Sequence, residues 1–346
     1  MKLLVVAKDL GGGAVVAPLC RLALDRGDEV VAVVEGLAPV EFTKLGVPIY
    51  FQGTPNFSEF PFSLDAGKLI NHVKPDAVVI SLGSPINLEN QFGLAANKAH
   101  RPLVFLEDCH GAHVRTGAKP ELILTVDAHA ADLATKAHQT AQVAVVGHPG
   151  VPSAGEVLGI RDNFLSDIKH SGKRVYAYVG GDPGATEEQL KLLVNCLAMT
   201  RGDWCLVYRF HPKWVGVVNP DSGRTYGKEW EEILSTLGDK TLRDLTGSGR
   251  CLVASADVAL ADFSTLLTTA VCCGKTAVFL ETPAVIQSMK IATGLVHFPL
   301  VEMGLAHRVS DPVDLGLLKL PSVDNLAMLR PYDPAVAYEQ IRCLVR

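Results

Sequence analysis

The 346-residue sequence lacks the features that identify several classes of protein. Its eight cysteines form no CxxC pair and no Cys/His ligand spacing, which argues against a disulfide scaffold and a zinc-finger site. No apolar run reaches membrane-spanning length, and no basic block follows the pattern of a nucleic-acid-binding surface. The first residues are apolar over too few positions for a signal peptide. We therefore expect a cytoplasmic protein with reduced cysteines, no transmembrane segment and no nucleic-acid partner.

The composition is typical of a globular α/β protein. Hydrophobic residues make up 48% of the chain and charged residues 20%, enough apolar surface to form ordinary cores. The length exceeds that of one core and predicts two domains. In the first half, β-rich runs alternate with helical patterns, which indicates a parallel sheet covered on both faces. The candidate strands are Leu3–Ala7, Glu29–Val34, Pro48–Phe51, Ala77–Ser81, Leu103–Glu107, Leu122–Val126 and Val143–Val146.

A segment rich in glycine and proline, residues 147–155, divides the chain. Such a composition suits a hinge between domains, so we predict an N-terminal domain over 1–150 and a C-terminal domain over 151–346. We expect the last helix to pack back on the N-terminal domain. The second domain opens with a helical pattern at 161–169, a strand at 174–179 and a helix capped by Thr186. The predicted fold is α/β, with two Rossmann-like doubly wound parallel-sheet domains facing across a cleft.

A glycine-rich turn, Gly11-Gly12-Gly13, joins the first strand to a helix that continues to about Arg26. The turn lacks the full GxGxxG spacing, so it does not predict a dinucleotide site. Its simpler interpretation is a tight turn that lets the helix pack closely. Asp9 lies beside this turn at the end of the strand and is a candidate residue of the cleft.

The most informative stretch runs from Ala261 to Leu267, between a predicted strand and a helix. A junction of this kind points free backbone N–H groups and the positive end of a helix dipole at a ligand, which suits a phosphate. Asp262, Ser264 and Thr265 are the polar residues of the junction. The alternative is that Ser264 serves only as the N-cap of the helix.

Other polar residues of the second domain also follow predicted strands. In an open parallel sheet, ligands bind outside the carboxyl ends of the strands. Gly180 and Gly181 follow one strand, and Arg209 and His211 end another. Together with the junction around Ser264, they provide the N–H groups, cations and hydroxyls that a nucleoside diphosphate needs. Alone, His211 would equally suit a capped turn before a proline.

These residues carry a resemblance to a known family. Arg209 and His211-Pro212, followed by Asp262-Phe263-Ser264-Thr265 and Gly274-Lys275, resemble the second domain of glycosyltransferase B-fold enzymes. The similarity is greatest to CDP-glycerol glycerophosphotransferases and to capsule-building transferases with HP and D-(Y/F)-S-S motifs. Val146-Gly147-His148-Pro149 is similar to the crossover of lipid A disaccharide synthase and of UDP-N-acetylglucosamine 2-epimerase relatives.

The resemblance implies roles for the matching positions. His211 would contact the phosphates of a nucleotide-sugar or CDP/UDP-type donor, which Ser264 and Thr265 would hold; Gly180 and Gly181 would allow close backbone approach. No tightly bound cofactor or metal is implied. Two positions depart from the pattern: many of these enzymes have a ribose-binding acid where this chain has Thr269, and a proline where it has Thr276.

A loop after the fifth strand, residues 107–115, combines two acids, two histidines and an arginine. An inverting transfer needs a general base, for which we predict His110, with Asp108 as its orienting residue or as an alternative base. The loop could equally be a polar turn without chemistry. A metal site formed by Asp108, His110 and His113 is a weaker interpretation, because the helical HxxxH spacing is absent.

The sequence favours a glycosyltransferase-like enzyme that transfers a sugar or polyol phosphate from a nucleotide-activated donor to a small-molecule or glycan acceptor. The second domain would bind the donor and the first the acceptor, with closure about the hinge. One alternative is a sugar-nucleotide 2-epimerase or hydrolase, and another is a non-catalytic nucleotide-binding or scaffold protein. The epimerase or hydrolase would draw its acids from Asp9, Glu107, Asp108 and Asp182. The sequence does not determine the oligomeric state, and a homodimer is compatible with it.

Overall fold

The computed structural model describes residues 1–52, 65–84, 87–153, 156, 165, 168–169, 171–244, 248–318 and 326–346. By its internal contacts the chain divides into two compact units. The first unit comprises Met1–Pro149, Ala292–Gly294 and Met328–Arg346, and the second comprises Gly150–Ile291 and Leu295–Ala327. Most of the helix predicted at 161–169, and part of the predicted hinge, lie outside the described residues.

The first unit is built on a seven-stranded parallel sheet in the order β3-β2-β1-β4-β5-β6-β7. Its strands are β1 (Lys2–Ala7), β2 (Glu29–Val34), β3 (Phe51–Gln52), β4 (Ala77–Ser81), β5 (Leu103–Leu106), β6 (Leu122–Thr125) and β7 (Gln142–Val145). The central strands are almost continuously apolar and buried, as expected where helices cover both faces. The third strand begins at Phe51 rather than at the predicted Pro48. Proline has no N–H to donate to a neighbouring strand, so Pro48 is poorly suited to begin one inside a sheet.

Helices follow the strands in alternation, which gives the doubly wound arrangement that the sequence predicts. In the first unit they are α1 (Leu10–Asp25), α2 (Pro39–Lys44), α3 (Ala66–Val73), α4 (Leu88–Lys98) and α5 (Ala128–Ala137), with a 3₁₀ turn at Ala112–Arg115. Gly27 directly follows the C-cap residue of α1 and has a φ of +82°.

The second unit contains a six-stranded parallel sheet in the order β10-β9-β8-β11-β12-β13. The strands are β8 (Arg174–Gly180), β9 (Trp204–Phe210), β10 (Thr241–Arg243), β11 (Val258–Ala261), β12 (Thr276–Leu280) and β13 (His307–Val309). The helices are α6 (Thr186–Met199), α7 (Pro212–Val215), α8 (Tyr226–Ser235), α9 (Gly249–Ser255), α10 (Leu266–Cys272), α11 (Pro283–Thr293) and α12 (Pro299–Glu302), with 3₁₀ turns at Gly238–Lys240 and Pro312–Leu317. The predicted cap at Thr186 is wrong, because Thr186 is fully buried inside the helix and Ala185 occupies the N-cap position.

The C-terminal helix, α13 (Pro334–Leu344), belongs to the first unit and packs against α1. The hydroxyl of Tyr338 donates a hydrogen bond to Oδ2 of Asp28 at 2.6 Å, and Ala337 and Ile341 lie in the core of the unit. No described helix has the length and apolar character needed to span a bilayer. All eight cysteines are free; three are buried and Cys343 is exposed.

Both sheets have the same switch in strand order. In the first unit β1 lies between β2 and β4, and in the second unit β8 lies between β9 and β11. The connections on the two sides of such a strand run in opposite directions and leave a crevice at its carboxyl end, where open α/β sheets bind their ligands. The ends of β1 and β4, and those of β8 and β11, are therefore the two places to look for a site.

Candidate functional site

In the second unit the switch point is organised around Gly181. Its φ of +141° lies in the region that favours glycine. A Cβ atom at this position would lie 2.8 Å from the backbone N of His211, and that N–H donates to the carbonyl of Gly180 at 2.7 Å. The ends of β8 and β9 thus approach each other so closely that only glycine fits at position 181.

Asp262 is the first residue after β11 and is half-buried. Burial raises the pKa of its carboxyl to about 7, the charge of Asp182 adds to this, and a hydrogen bond from the backbone of Gly181 opposes it. Asp182 itself accepts hydrogen bonds from the N–H of Gly184 at 2.8 Å and from the hydroxyl of Ser288. The switch point therefore carries two neighbouring carboxyl groups, of which Asp262 is partly protonated at neutral pH.

The helix that the sequence predicts to start at Ser264 starts two residues later in the structure. Helix α10 begins at Leu266, with Thr265 at the N-cap position and no side-chain cap from it. Oγ of Ser264 accepts a hydrogen bond from the N–H of Leu266 at 3.3 Å. The interpretation of Ser264 as the N-cap is therefore wrong, because Ser264 lies one residue before the N-cap position, although its side chain does bond to the helix start. Its half-buried side chain lies beside Asp262 at the switch point.

His211 and Arg209 lie at the end of β9. His211 is exposed and occupies the N-cap position of α7, where its Nδ1 accepts from the N–H of Lys213 at 3.2 Å. Arg209 forms an ion pair with Asp244, its Nη1 lying 3.0 Å from Oδ2 of that buried carboxylate. His211 therefore remains at the edge of the site, whereas much of the charge of Arg209 is offset by Asp244.

Thr269, which stands where the resembling enzymes have an acid, is enclosed in the second unit. Its side chain is fully buried, and its Oγ1 donates to the carbonyl of Gly150 at 2.6 Å. This hydrogen bond fixes the threonine to the first residue of the second unit. A ribose-binding role at this position is thus excluded by the packing of the chain.

In the first unit His110 pairs with a carboxylate other than the predicted one. Its Nε2 lies 2.8 Å from Oδ2 of Asp127, and both side chains are buried. Burial alone would raise the pKa of Asp127, but the hydrogen bond and charge of His110 outweigh it and lower the pKa. The prediction that Asp108 orients His110 is wrong, because His110 is paired with Asp127, whereas the carboxylate of Asp108 lies against Gly11.

A second buried pair joins His113 to Glu107. Nδ1 of His113 lies 2.8 Å from Oε1 of Glu107, which also accepts from the backbone N–H of His113. Both side chains are almost fully enclosed. Glu107 thus binds His113 in a buried pair. In the described part of the chain no three acidic, histidine or cysteine side chains are arranged to hold a metal ion.

Asp108 faces Gly11 in the first turn of α1, at the switch point of the first unit. The prediction of a separate glycine turn before this helix is wrong, because the helix already begins at Leu10. A Cβ atom on Gly11 would overlap the carboxylate of Asp108, so glycine permits this approach. Burial raises the pKa of Asp108, the charge of Arg115 opposes this, and the charge of Asp9 adds to it. The structure thus brings Asp9 and Asp108 together, although they lie 99 positions apart in the sequence.

A third acid at this switch point was missed in the sequence. Glu89 lies in the first turn of α4, is fully buried, and has a pKa raised to about 8 by burial, with a further contribution from Asp9. In the sequence it is an ordinary acid at a helix start, a position where acidic residues are common. Only its burial and its proximity to Asp9, neither of which is visible in one sequence, mark it as exceptional.

No protein-family model and no curated protein sequence matches the chain. Solved structures do. The UDP-GlcNAc 2-epimerase of Methanocaldococcus jannaschii, in complex with UDP-GlcNAc and UDP, matches with a TM-score of 0.66 at 15% identity over 99% of both chains. The fold is of the glycosyltransferase-B type. The predicted pair of doubly wound domains is thereby confirmed.

Two further structures have a similar fold. The S. aureus MnaA–UDP structure matches with a TM-score of 0.61 at 14% identity, over 99% of this chain and 88% of that one. The calicheamicin glycosyltransferase matches with a TM-score of 0.56 at 13% identity, over 99% of this chain and 97% of that one. The shared fold thus hosts both epimerases and glycosyltransferases.

Proposed function

We propose that the protein is an enzyme acting on a nucleotide-activated sugar or polyol phosphate, whose diphosphate binds at the switch point of the second unit. The observation that carries this proposal is the assembly of Gly181, Asp262 and Ser264 around the ends of β8 and β11, with His211 at the edge. The two neighbouring structures recorded with UDP support the choice of ligand class.

The two carboxyl groups at this site determine how a diphosphate can be accepted. Two ionised acids would repel it, since the repulsion between like charges is only weakly screened in a half-buried site. A protonated Asp262 removes one of these charges and can donate a hydrogen bond to a phosphate oxygen. His211 and Lys213, at the end of β9, supply the donors on the exposed side.

Transfer of the sugar or polyol phosphate to an acceptor is the reaction we favour, with the acceptor bound by the first unit. The acids at the β1–β4 switch point supply the base. Asp108 is a better candidate than His110, because Asp108 is only half-buried, whereas the side chain of His110 is buried together with Asp127. An epimerase or hydrolase is the second candidate, since acids whose pKa values are raised toward neutrality suit proton abstraction and return.

Replacing His211 or Ser264 with alanine should abolish or strongly weaken nucleotide binding while the protein stays folded. Each change removes one capping contact, which costs about 1 kcal/mol of stability. Calorimetric titration with CDP and UDP measures the affinity, and Ser235→Ala, an exposed serine at the end of α8, is the control. Unchanged affinity in both site variants would contradict the nucleotide assignment.

The choice between transfer and epimerisation can be tested with heavy water. An epimerase exchanges a sugar hydrogen with solvent, so deuterium should enter the nucleotide sugar at a carbon position. Simple inverting transfer leaves the sugar carbons unexchanged. Mass spectrometry of a nucleotide sugar recovered from the reaction therefore decides between the two.

The affinity for a nucleotide sugar should fall as the pH rises through 7. Below its pKa of about 7 the carboxyl of Asp262 is neutral, and above it the carboxylate repels the diphosphate. The loss is limited to about tenfold per pH unit. Calorimetry between pH 6 and 8.5 with a nucleotide sugar, whose diphosphate does not titrate in this range, measures the effect.

The matched variants for this experiment are Asp262→Asn and Asp239→Asn. Asparagine at 262 keeps an acceptor for the N–H of Gly181 but cannot ionise, so its affinity should be independent of pH. The exposed Asp239 lies in the same unit and should leave the wild-type pH dependence in place. An equal pH dependence in Asp262→Asn would exclude this carboxyl as the cause.

A further inference from the structure

Glu89 is a fully enclosed acid at the switch point of the first unit. Its Oε1 lies 3.5 Å from the hydroxyl of Ser81 and 3.3 Å from the backbone N of Gly83, and both groups can donate to it. Its Oε2 is buried and has no hydrogen-bond partner among the described residues. A buried polar atom without a partner is costly, so this oxygen needs an explanation.

Asp9 lies on the other side of Gly83. It occupies the N-cap position of α1, and its Oδ2 accepts from the backbone N–H of Ser84 at 2.6 Å. A Cβ atom on Gly83 would lie 2.8 Å both from this oxygen and from Oε1 of Glu89. Because Gly83 has no side chain, the carboxyl groups of Asp9 and Glu89 can both approach the space beside its Cα.

Two carboxylates in such a setting cannot both ionise easily, because burial and like charge both favour the protonated form. The charged groups that act on Glu89 from neighbouring elements of the described structure are Asp9, at the start of α1, and Lys8, at the end of β1. The positive charge of Lys8 favours ionisation, but burial and the negative charge of Asp9 outweigh it. Glu89 accordingly holds its proton at pH 7, since its pKa is about 8.

We propose that Asp9 and Glu89 form a carboxyl pair that holds one proton between them at neutral pH, and that this pair is a subsite for a hydroxyl-bearing substrate, a sugar or polyol. Because Oε1 of Glu89 already faces two donors, the proton belongs on Oε2. Glu89 is enclosed, so the half-buried carboxylate of Asp9 is the group that accepts a hydrogen bond from a substrate hydroxyl. Glu89 is a positioning residue in this arrangement. Its role toward a sugar rests on the proposed function, whereas the shared proton does not.

The proton can be observed directly in the unliganded protein. With glutamate labelled with ¹³C at its carboxyl carbon, an NMR titration should show one glutamate resonance that titrates near pH 8. The resonance should be absent in Glu89→Gln, which keeps the size of the side chain. It should remain in Glu35→Gln, a control that removes another buried glutamate, one that also faces Lys8.

The Asp9→Asn variant tests the pairing itself. Removing the neighbouring charge should shift the titration of Glu89 to lower pH. Titration of every glutamate below pH 6, persistence of the resonance in Glu89→Gln, or an unshifted midpoint in Asp9→Asn would each overturn the proposal. If Glu89→Gln fails to fold, judged by circular dichroism, the shift in Asp9→Asn still decides it.

The activity measurement separates this inference from the proposed function. If a nucleotide-sugar reaction is found, wild-type kcat/KM should fall about tenfold per pH unit above pH 8, and Glu89→Gln, which retains a hydrogen-bond donor, should lack this fall. A titrating Glu89 without any turnover would refute the proposed function and leave the pair in place. Turnover without a glutamate that titrates near pH 8 would refute the carboxyl pair and leave the proposed function in place.

Discussion

Gly147→Ala should destabilise the protein by about 3 kcal/mol or more, the largest stability effect that we predict. Gly147 has a φ of +95°, which already disfavours alanine. A Cβ atom there would also overlap the carbonyl oxygen of Pro331 and lie 2.9 Å from Cα of Tyr332. These neighbours are backbone atoms, which cannot rotate away. Urea unfolding of the purified variants measures the loss.

The clash matters because the chain returns to this point before its last helix. The backbone N–H of His148 donates to the carbonyl of Arg330 at 2.9 Å, and that of Asp333 donates to the carbonyl of Val146 at 2.8 Å. Displacing this segment would strain both hydrogen bonds. It would also disturb the packing of α13 on α1.

Gly27→Ala is the matched control for this prediction. Gly27 has a φ of +82° and no atom within 4 Å of the position of a Cβ. Alanine there meets only the conformational cost, about 1–2 kcal/mol. Equal losses in the two variants would show that the contact with residues 331 and 332 contributes nothing.

Asp108→Asn should lower turnover about 100-fold or more, the largest functional effect that we predict, while nucleotide affinity stays unchanged. Asparagine keeps the size of the side chain but can neither take nor return a proton. The nucleotide is proposed to bind the second unit, so its affinity should not depend on this change. Nucleotide release from a panel of UDP- and CDP-activated sugars, with and without acceptors, measures turnover, and calorimetry measures affinity.

Asp132→Asn, which changes an exposed aspartate on α5 of the same unit, is the control and should retain wild-type turnover. Wild-type turnover in Asp108→Asn would remove this residue from the mechanism. His110→Gln then becomes the next variant to examine. Because His110 pairs with the buried Asp127, its replacement is expected to lower stability as well as activity.

The polar residues that follow strands were largely visible in the sequence, because parallel strands place their carboxyl ends at one edge of a sheet. Asp9, Asp262 and Ser264 were predicted in this way, and the structure places them at the two switch points. Partners across the fold were not, since hydrogen bonds such as that between His110 and Asp127 join residues with no fixed spacing. The threonine at 269 illustrates the same limit: its hydrogen bond to Gly150 spans 119 positions.

The sequence by itself determined the two doubly wound α/β domains, because the alternation of apolar strands with helical patterns is a local property that burial on both sheet faces requires. The tertiary structure alone decided which acids lie close together. Glu89 approaches Asp9 only because Gly83 leaves room between them. Proton affinity depends on burial and on neighbouring charge, and both arise only when distant segments pack together.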